Sequence, residues 1–415
     1  MFATRTDWPL TPNRLTAALE ERRARGLPLF DLTESNPTRC GFEYDTGAIL
    51  GALADSRSLA YQPEPRGVAS AREAVAGYYA ERGVEVPSDR IFLTASTSEA
   101  YAWIFRLLAN SGDSVLAPQP SYPLFGFLAG LNDVELVPYP LAYNCGWHIA
   151  LDALQARLAV ASPASARAIL VVHPNNPTGS LVASAERQML VSLCSQHGMA
   201  LVADEVFADY AFACRVPGSE VATSGGPARS HAAVGDVLSF TLSGLSKIAA
   251  LPQMKLAWIV VSGPDDLVRE AAARLEIIAD TYLSVSAPVA YALPRLLETR
   301  HAIQPQIRGR VERNRQWLRA ALASHPALAL LEADGGWYAV LRRSGAPGVP
   351  GSRSQTALDG KSDEDWAVEL VQQDGVLVHP GHFYDFASEG YLVISLLPAA
   401  QIFEEGARKL LARFA

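Results

Sequence analysis

Through the middle of the chain, short uninterrupted apolar runs alternate with longer stretches of helical period. Six runs predict strands: Ile91 to Thr94, Ser114 to Ala117, Ala168 to Val172, Ala200 to Ala203, Val237 to Thr241 and Ala257 to Val261. Most are too continuously apolar to leave one face in water, as expected of parallel strands covered on both faces by crossover helices. The segments Ser98 to Ala109, Ala183 to His197 and Leu267 to Ala279 read as helices of that kind. Such alternation predicts an α/β domain. Toward the C-terminus the pattern changes to helix (Ser362 to Asp374), strand (Gly375 to His379), strand (Tyr391 to Leu396) and helix (Ala400 to Phe414), a compact α+β lobe. Two stretches rich in small residues and proline, Arg215 to His231 and Ser344 to Ser362, read as surface loops without a catalytic role.

A chain of 415 residues exceeds the size at which one core keeps growing, so two lobes are expected. The boundaries fall near residues 46 and 295. Residues 46–295 form the large domain and 296–415 the small one, which residues 1–45 return to join.

Composition narrows the function. Apolar residues at 49% and charged residues at 19% mark a globular protein, and no uncharged apolar run is long enough for a membrane helix. Arg5, Asp7 and Pro9 interrupt the N-terminus, which lacks the apolar core of a signal peptide, so a cytoplasmic location is expected. A net charge of -8 argues against nucleic-acid binding. Cys40, Cys145, Cys194 and Cys214 are too scattered for a zinc site or a disulfide scaffold, and no metal is expected. Of 35 basic residues only four are lysines, at 247, 255, 361 and 409. Where only positive charge is needed this chain uses arginine, so each lysine raises the question of what an amine does there.

Several polar groups fall at strand ends. Ala95-Ser96-Thr97-Ser98-Glu99 opens a helix: free N–H groups and hydroxyls make either a phosphate cup or a plain N-cap. His173-Pro-Asn-Asn176-Pro-Thr-Gly179 is a turn-rich loop that fixes an amide between a strand end and a proline. Asp204 closes a strand, at the edge where α/β sheets bind ligands, and is either a cap or a functional carboxylate. Lys247, just past a buried strand in Ser243-Gly-Leu-Ser-Lys247, lies among small and apolar residues. An amine there can form an imine, which a guanidinium cannot.

In this order the motifs resemble the fold-type I pyridoxal phosphate enzymes, specifically the class I/II aminotransferases of the aspartate aminotransferase superfamily. The resemblance runs from Leu32-Thr-Glu-Ser-Asn-Pro-Thr38 to Ser395 and includes Pro120-Ser-Tyr122-Pro, Asn176-Pro-Thr-Gly, Asp204-Glu and Ser246-Lys247, with a cation eight residues on. It implies a large domain with a mostly parallel seven-stranded sheet, a smaller α+β domain built from both chain ends, and pyridoxal 5'-phosphate as cofactor. Lys247 then matches the Schiff-base lysine that also shuttles the Cα proton, and Asp204 the partner of the pyridinium nitrogen. Asn176 matches the donor to the phenolic oxygen and Tyr122 the stacking aromatic. Ser96, Thr97, Ser98 and Lys255 match the phosphate site, and Tyr61 the tyrosine that reaches the phosphate from a second subunit, so a homodimer is implied. The reaction implied moves an amino group from an amino acid to a 2-oxo acid.

Three positions depart from the family. Lys255 stands where arginine is usual, Phe207 where many members have a tyrosine, and Val393 where an arginine usually clamps the substrate carboxylate. Asn36, Arg39 and His382 are the candidates for substrate contacts in its place. The missing clamp keeps a lyase or decarboxylase on the same fold as the alternative, with a non-catalytic cofactor-binding homologue behind it.

Overall fold

The computed structural model describes residues 1–160, 166–212, 230–283, 285–344 and 360–414. Among these, eight strands form one sheet in the spatial order Ile91–Thr94, Ala257–Ser262, Ser239–Gly244, Ala200–Asp204, Ala166–Val172, Ser114–Gln119, Glu135–Tyr143 and Trp147–Ile149. The five strands from Ser239–Gly244 to Glu135–Tyr143 are mutually parallel, and the flanking pairings are antiparallel.

All six expected strands form, but one runs against the expected direction. Ala257–Ser262 is antiparallel to both its neighbours. An unbroken apolar run reports cover on both faces, which parallel and antiparallel strands share, so it carries no information on direction. The sheet also has one strand more than the expected seven. Glu135–Tyr143 carries Pro138 and Pro140, which weaken a strand signal, and Trp147–Ile149 folds back on it as a short edge.

Strand direction assembles the site. The C-terminal ends of the parallel strands place Gln119, Val172, Asp204 and Gly244 along one edge of the sheet. Ile91–Thr94 is reversed twice relative to Ser239–Gly244, so Thr94 reaches that same edge, opposite Ala257. Loops after these strands, and the one before Ala257, therefore converge. Helices Thr97–Leu108 and Asp265–Tyr282 cover one face through Trp103, Ile104 and Leu275, while Ala69–Ala80 and Ala287–Glu298 cover the other through Val75, Tyr79 and Leu293.

A second core joins both chain ends. Leu15, Ala18, Leu32 and Cys40 pack with Ile303, Ile307, Leu392, Phe403 and Leu410. Phe30–Asp31 pairs in parallel with Val376–Leu377, beside an antiparallel sheet of Leu328–Leu330, Tyr338–Arg343, Tyr391–Ser395 and His379–Pro380. The change of core comes at Thr299, between helices Ala287–Glu298 and Arg300–Leu322. The long helix reaches back to the sheet through Gln304, whose amide donates to Asp209 Oδ2 at 2.8 Å and to the Ile248 carbonyl at 2.9 Å. Asp209 is also paired with the buried Arg82.

Of the two stretches read as loops, residues 215–229 and 345–359 lie outside the described residues, as does Cys214. The end of the first is no surface loop: Ser230 and His231 are buried, held by Glu205 through Ser230 Oγ at 2.7 Å and the His231 N–H at 2.5 Å. Small polar residues look alike in sequence whether solvated or bound to a buried carboxylate.

Candidate active site

Lys247 sits on the single helical turn Leu245–Ile248 directly after strand Ser239–Gly244. Only glycine fits at 244, because a Cβ there would meet Ala257 Cβ at 2.8 Å and the Leu256 carbonyl at 3.0 Å. The turn is held from outside: Tyr210 donates to the Lys247 carbonyl at 2.9 Å and Tyr44 to that of Ala250 at 2.9 Å. The amine itself lies 5.0 Å from the centre of the Trp337 ring and 5.5 Å from that of Phe207. Among the described residues no hydrogen bond or ion pair holds it. Burial disfavours its charged form and lowers its pKa to about 8, against a smaller opposing pull from Asp204.

Asp204 is the last residue of its strand and 6% exposed. Its Oδ1 accepts the Val206 N–H at 3.0 Å and its Oδ2 accepts the Tyr101 hydroxyl at 3.1 Å. Burial pushes its pKa up to about 6, and these two donors hold it from rising further. At neutral pH it is ionised. Tyr101 went unnoticed in the sequence, since at helical spacing it reads as one more apolar core residue.

The two asparagines of the turn-rich loop separate cleanly. Asn175 is consumed: it accepts from Ser121 Oγ at 2.9 Å and donates to the Pro120 carbonyl at 3.1 Å and to Thr178 Oγ1 at 2.8 Å. Asn176 Oδ1, by contrast, is buried without a hydrogen-bond partner among the described residues. Gly179, at a φ of +70°, closes this loop against the Gly335 carbonyl, where any Cβ would collide. Tyr122 is half-buried, its ring edge-on to Phe125 at 5.6 Å, and burial raises its phenol to about 12.

At the helix start the capping alternative holds for Ser96. Its hydroxyl accepts the Glu99 N–H at 3.1 Å, and Glu99 returns a contact to the Ala95 N–H at 2.7 Å. The Thr97 and Ser98 hydroxyls make no hydrogen bond among the described residues, and both open the twelve-residue helix at its positive end. Lys255 is exposed, at a φ of +51°, two residues before strand Ala257–Ser262. Tyr61 is 79% exposed and lines a cavity of about 430 Å³ with Leu283, Tyr291 and Trp103, away from Lys247.

The three substrate candidates make local contacts of their own. Asn36 caps the short turn Pro37–Arg39 by accepting from Thr38 N–H at 3.1 Å. The Arg39 side chain is 75% exposed, 3.8 Å from Glu34. His382 is exposed and packs edge-on to Phe383. Val393 is fully buried between Val340 and His379 of adjacent strands, so apolar packing fills the position of the usual arginine.

One edge of the α/β sheet thus carries a desolvated lysine amine and a buried carboxylate, with the Asn176 Oδ1 left without a partner among the described residues. Over residues 39–409 the chain matches aminotransferase class I and II and belongs to that family. It is 25% identical to the glutamate-pyruvate aminotransferase AlaA of Haemophilus influenzae over 393 residues, 94% of this chain and 91% of that one. The alanine aminotransferase of Mycobacterium tuberculosis is 24% identical over 90% of this chain and 83% of its own length. Among solved structures, the alanine aminotransferase of Pyrococcus furiosus superposes with a TM-score of 0.85 at 19% identity, covering 100% of this chain and 99% of that one. A Thermus thermophilus aspartate aminotransferase mutant gives 0.80 at 19%, covering 99% of each. The protein is a pyridoxal phosphate-dependent aminotransferase, acting on amino and 2-oxo acids. No helix among the described residues is long and apolar enough to cross a membrane.

Proposed function

We propose that Lys247 holds the cofactor and that transamination runs at this sheet edge. The observation that carries the reading is the Lys247 amine, without a partner among the described residues and lowered to about 8 by burial, beside a strand that ends in the buried Asp204. When bound, pyridoxal phosphate supplies a carbonyl that captures amines and a ring that withdraws electrons from the substrate Cα. Lys247 would hold that carbonyl, and its amine, when free, would take and return the Cα proton. Asp204 would hold a proton at the ring nitrogen. Asn176 would donate to the ring oxygen through its side-chain N–H, and Tyr122 would cover the ring. Thr97, Ser98, the helix N-terminus and Lys255 would hold the phosphate, with Ser96 shaping the cup as its cap.

Substrate binding is the part this chain does its own way. The names of its relatives make alanine, glutamate and pyruvate the first substrates to try. With Val393 in the clamp position, Arg39 is proposed to leave Glu34, only weakly engaged at 3.8 Å, for the substrate carboxylate. Arg39→Ala should then raise the KM for alanine and glutamate about tenfold, roughly 1.4 kcal/mol, with a smaller change in kcat. A second reading, an amine transaminase, is favoured by Val393 alone. Equal rates with isopropylamine and with alanine, together with an unchanged KM in Arg39→Ala, would replace the first reading by the second.

We also propose that the enzyme is a cytoplasmic homodimer in which Tyr61 reaches the partner's phosphate site. Supporting this, Tyr61 is 79% exposed and lines one cavity with Leu283, itself 61% exposed, so large apolar side chains are left uncovered there. Mixing Tyr61→Phe protein with Lys247→Ala protein should form hybrids with one intact site and regain wild-type cofactor affinity there. If affinity instead follows whichever chain carries Tyr61, the tyrosine serves its own subunit.

A further inference from the structure

The cluster between the sheet and helices Thr97–Leu108 and Asp265–Tyr282 is built from Phe92, Ile104, Phe105, Phe125, Leu170, Phe240 and similar side chains, and among the described residues Tyr101 is its one fully buried tyrosine. Phenylalanine would fill the same space. The ring is 1% exposed and locked by Phe125, edge-on at 5.2 Å, and by Phe105 at 6.0 Å. A ring fixed on two sides has a fixed hydroxyl direction, and that hydroxyl lies 3.1 Å from Asp204 Oδ2. Burial raises the phenol well above its ordinary pKa, so it keeps its proton and is the donor.

Asp204 needs such a partner. Its other contact, the Val206 N–H, belongs to its own turn and leaves the carboxylate free to swing about its last bond. An ionised carboxylate offers about four acceptor positions. One contact to each oxygen, from two separate elements, leaves acceptor capacity for a ring nitrogen and fixes the plane of the group.

We propose that Tyr101 is a positioning residue for the reaction: its phenol holds the Asp204 carboxylate in one orientation as the partner of the cofactor's ring nitrogen. It acts through Asp204 and touches neither substrate nor cofactor. The role rests on the reading of Asp204 given above, so both residues must be varied together.

The test uses protein loaded with pyridoxal phosphate labelled with nitrogen-15 in the ring, in wild type, Tyr101→Phe and Asp204→Asn. The nitrogen resonance reports the proton on the ring independently of turnover. In Tyr101→Phe it should move part of the way from the protonated toward the unprotonated position. The kcat should fall roughly tenfold, the worth of one hydrogen bond to a charged group, with KM and melting temperature held. A wild-type resonance and kcat in Tyr101→Phe, with Asp204→Asn displaced, overturns the role of Tyr101 and leaves Asp204 in place. A lowered melting temperature with an unmoved resonance also overturns it, leaving the tyrosine as packing. If Asp204→Asn itself keeps the wild-type resonance, the reading of Asp204 fails and that of Tyr101 falls with it.

Discussion

Lys247→Arg should be as inactive as Lys247→Ala, even though it keeps the positive charge. The site needs a nucleophilic amine, and a guanidinium stays protonated and cannot form the bond. Burial has prepared this amine. With a pKa of about 8, in place of the usual 10.5, about a tenth of it is neutral at pH 7, against a few parts in ten thousand for an exposed lysine. The sign follows: cofactor capture by the apoprotein should accelerate as pH rises through about 8 and then level off. Turnover in Lys247→Arg, or capture that keeps climbing to pH 10, would remove Lys247 from the role.

Asp204→Asn should separate catalysis from stability. The rate should fall by several kcal/mol in barrier, on the order of a thousandfold or more, because an amide cannot hold a proton on the ring nitrogen. Stability should move the other way. A carboxylate raised from 3.8 to about 6 binds protons more readily folded than unfolded, so it costs the native state about 3 kcal/mol once pH rises above both values. Asparagine removes that cost and can still accept from Val206 N–H. In the apoprotein at pH 7, a melting temperature at or above wild type with the rate lost would bear out the assignment. A near-normal rate in folded, cofactor-loaded protein would take Asp204 out of the site.

How much of this was legible in the sequence depended on the kind of signal. Strands such as Ala200–Asp204 and Ala166–Val172 announced themselves because burial on both faces demands unbroken apolar runs. Direction left no such mark, hence the misread Ala257–Ser262, and the prolines of Glu135–Tyr143 hid a strand. Lys247, Asp204 and Asn176 stood out because each is a polar group at a strand end. The partner that holds Asp204, Tyr101, did not, because its neighbours and spacing are those of a core residue and only the tertiary fold brings its hydroxyl 103 positions along the chain to the carboxylate. Ser96 shows the converse, a hydroxyl in the expected cup whose contact is to its own helix. Arg39 sits in a motif that resembles a substrate loop, yet in the fold its side chain is largely in water.

The central claim is a covalent one, and borohydride tests it most directly. Reduction fixes the bond between an amine and the cofactor carbonyl, and peptide mass spectrometry then locates it among the four lysines of the chain. The account predicts one cofactor per subunit, on the peptide containing Lys247, and none after the same treatment of Lys247→Arg. A label on Lys255, Lys361 or Lys409, or a wild-type protein that takes up the cofactor and carries no label after reduction, would contradict it.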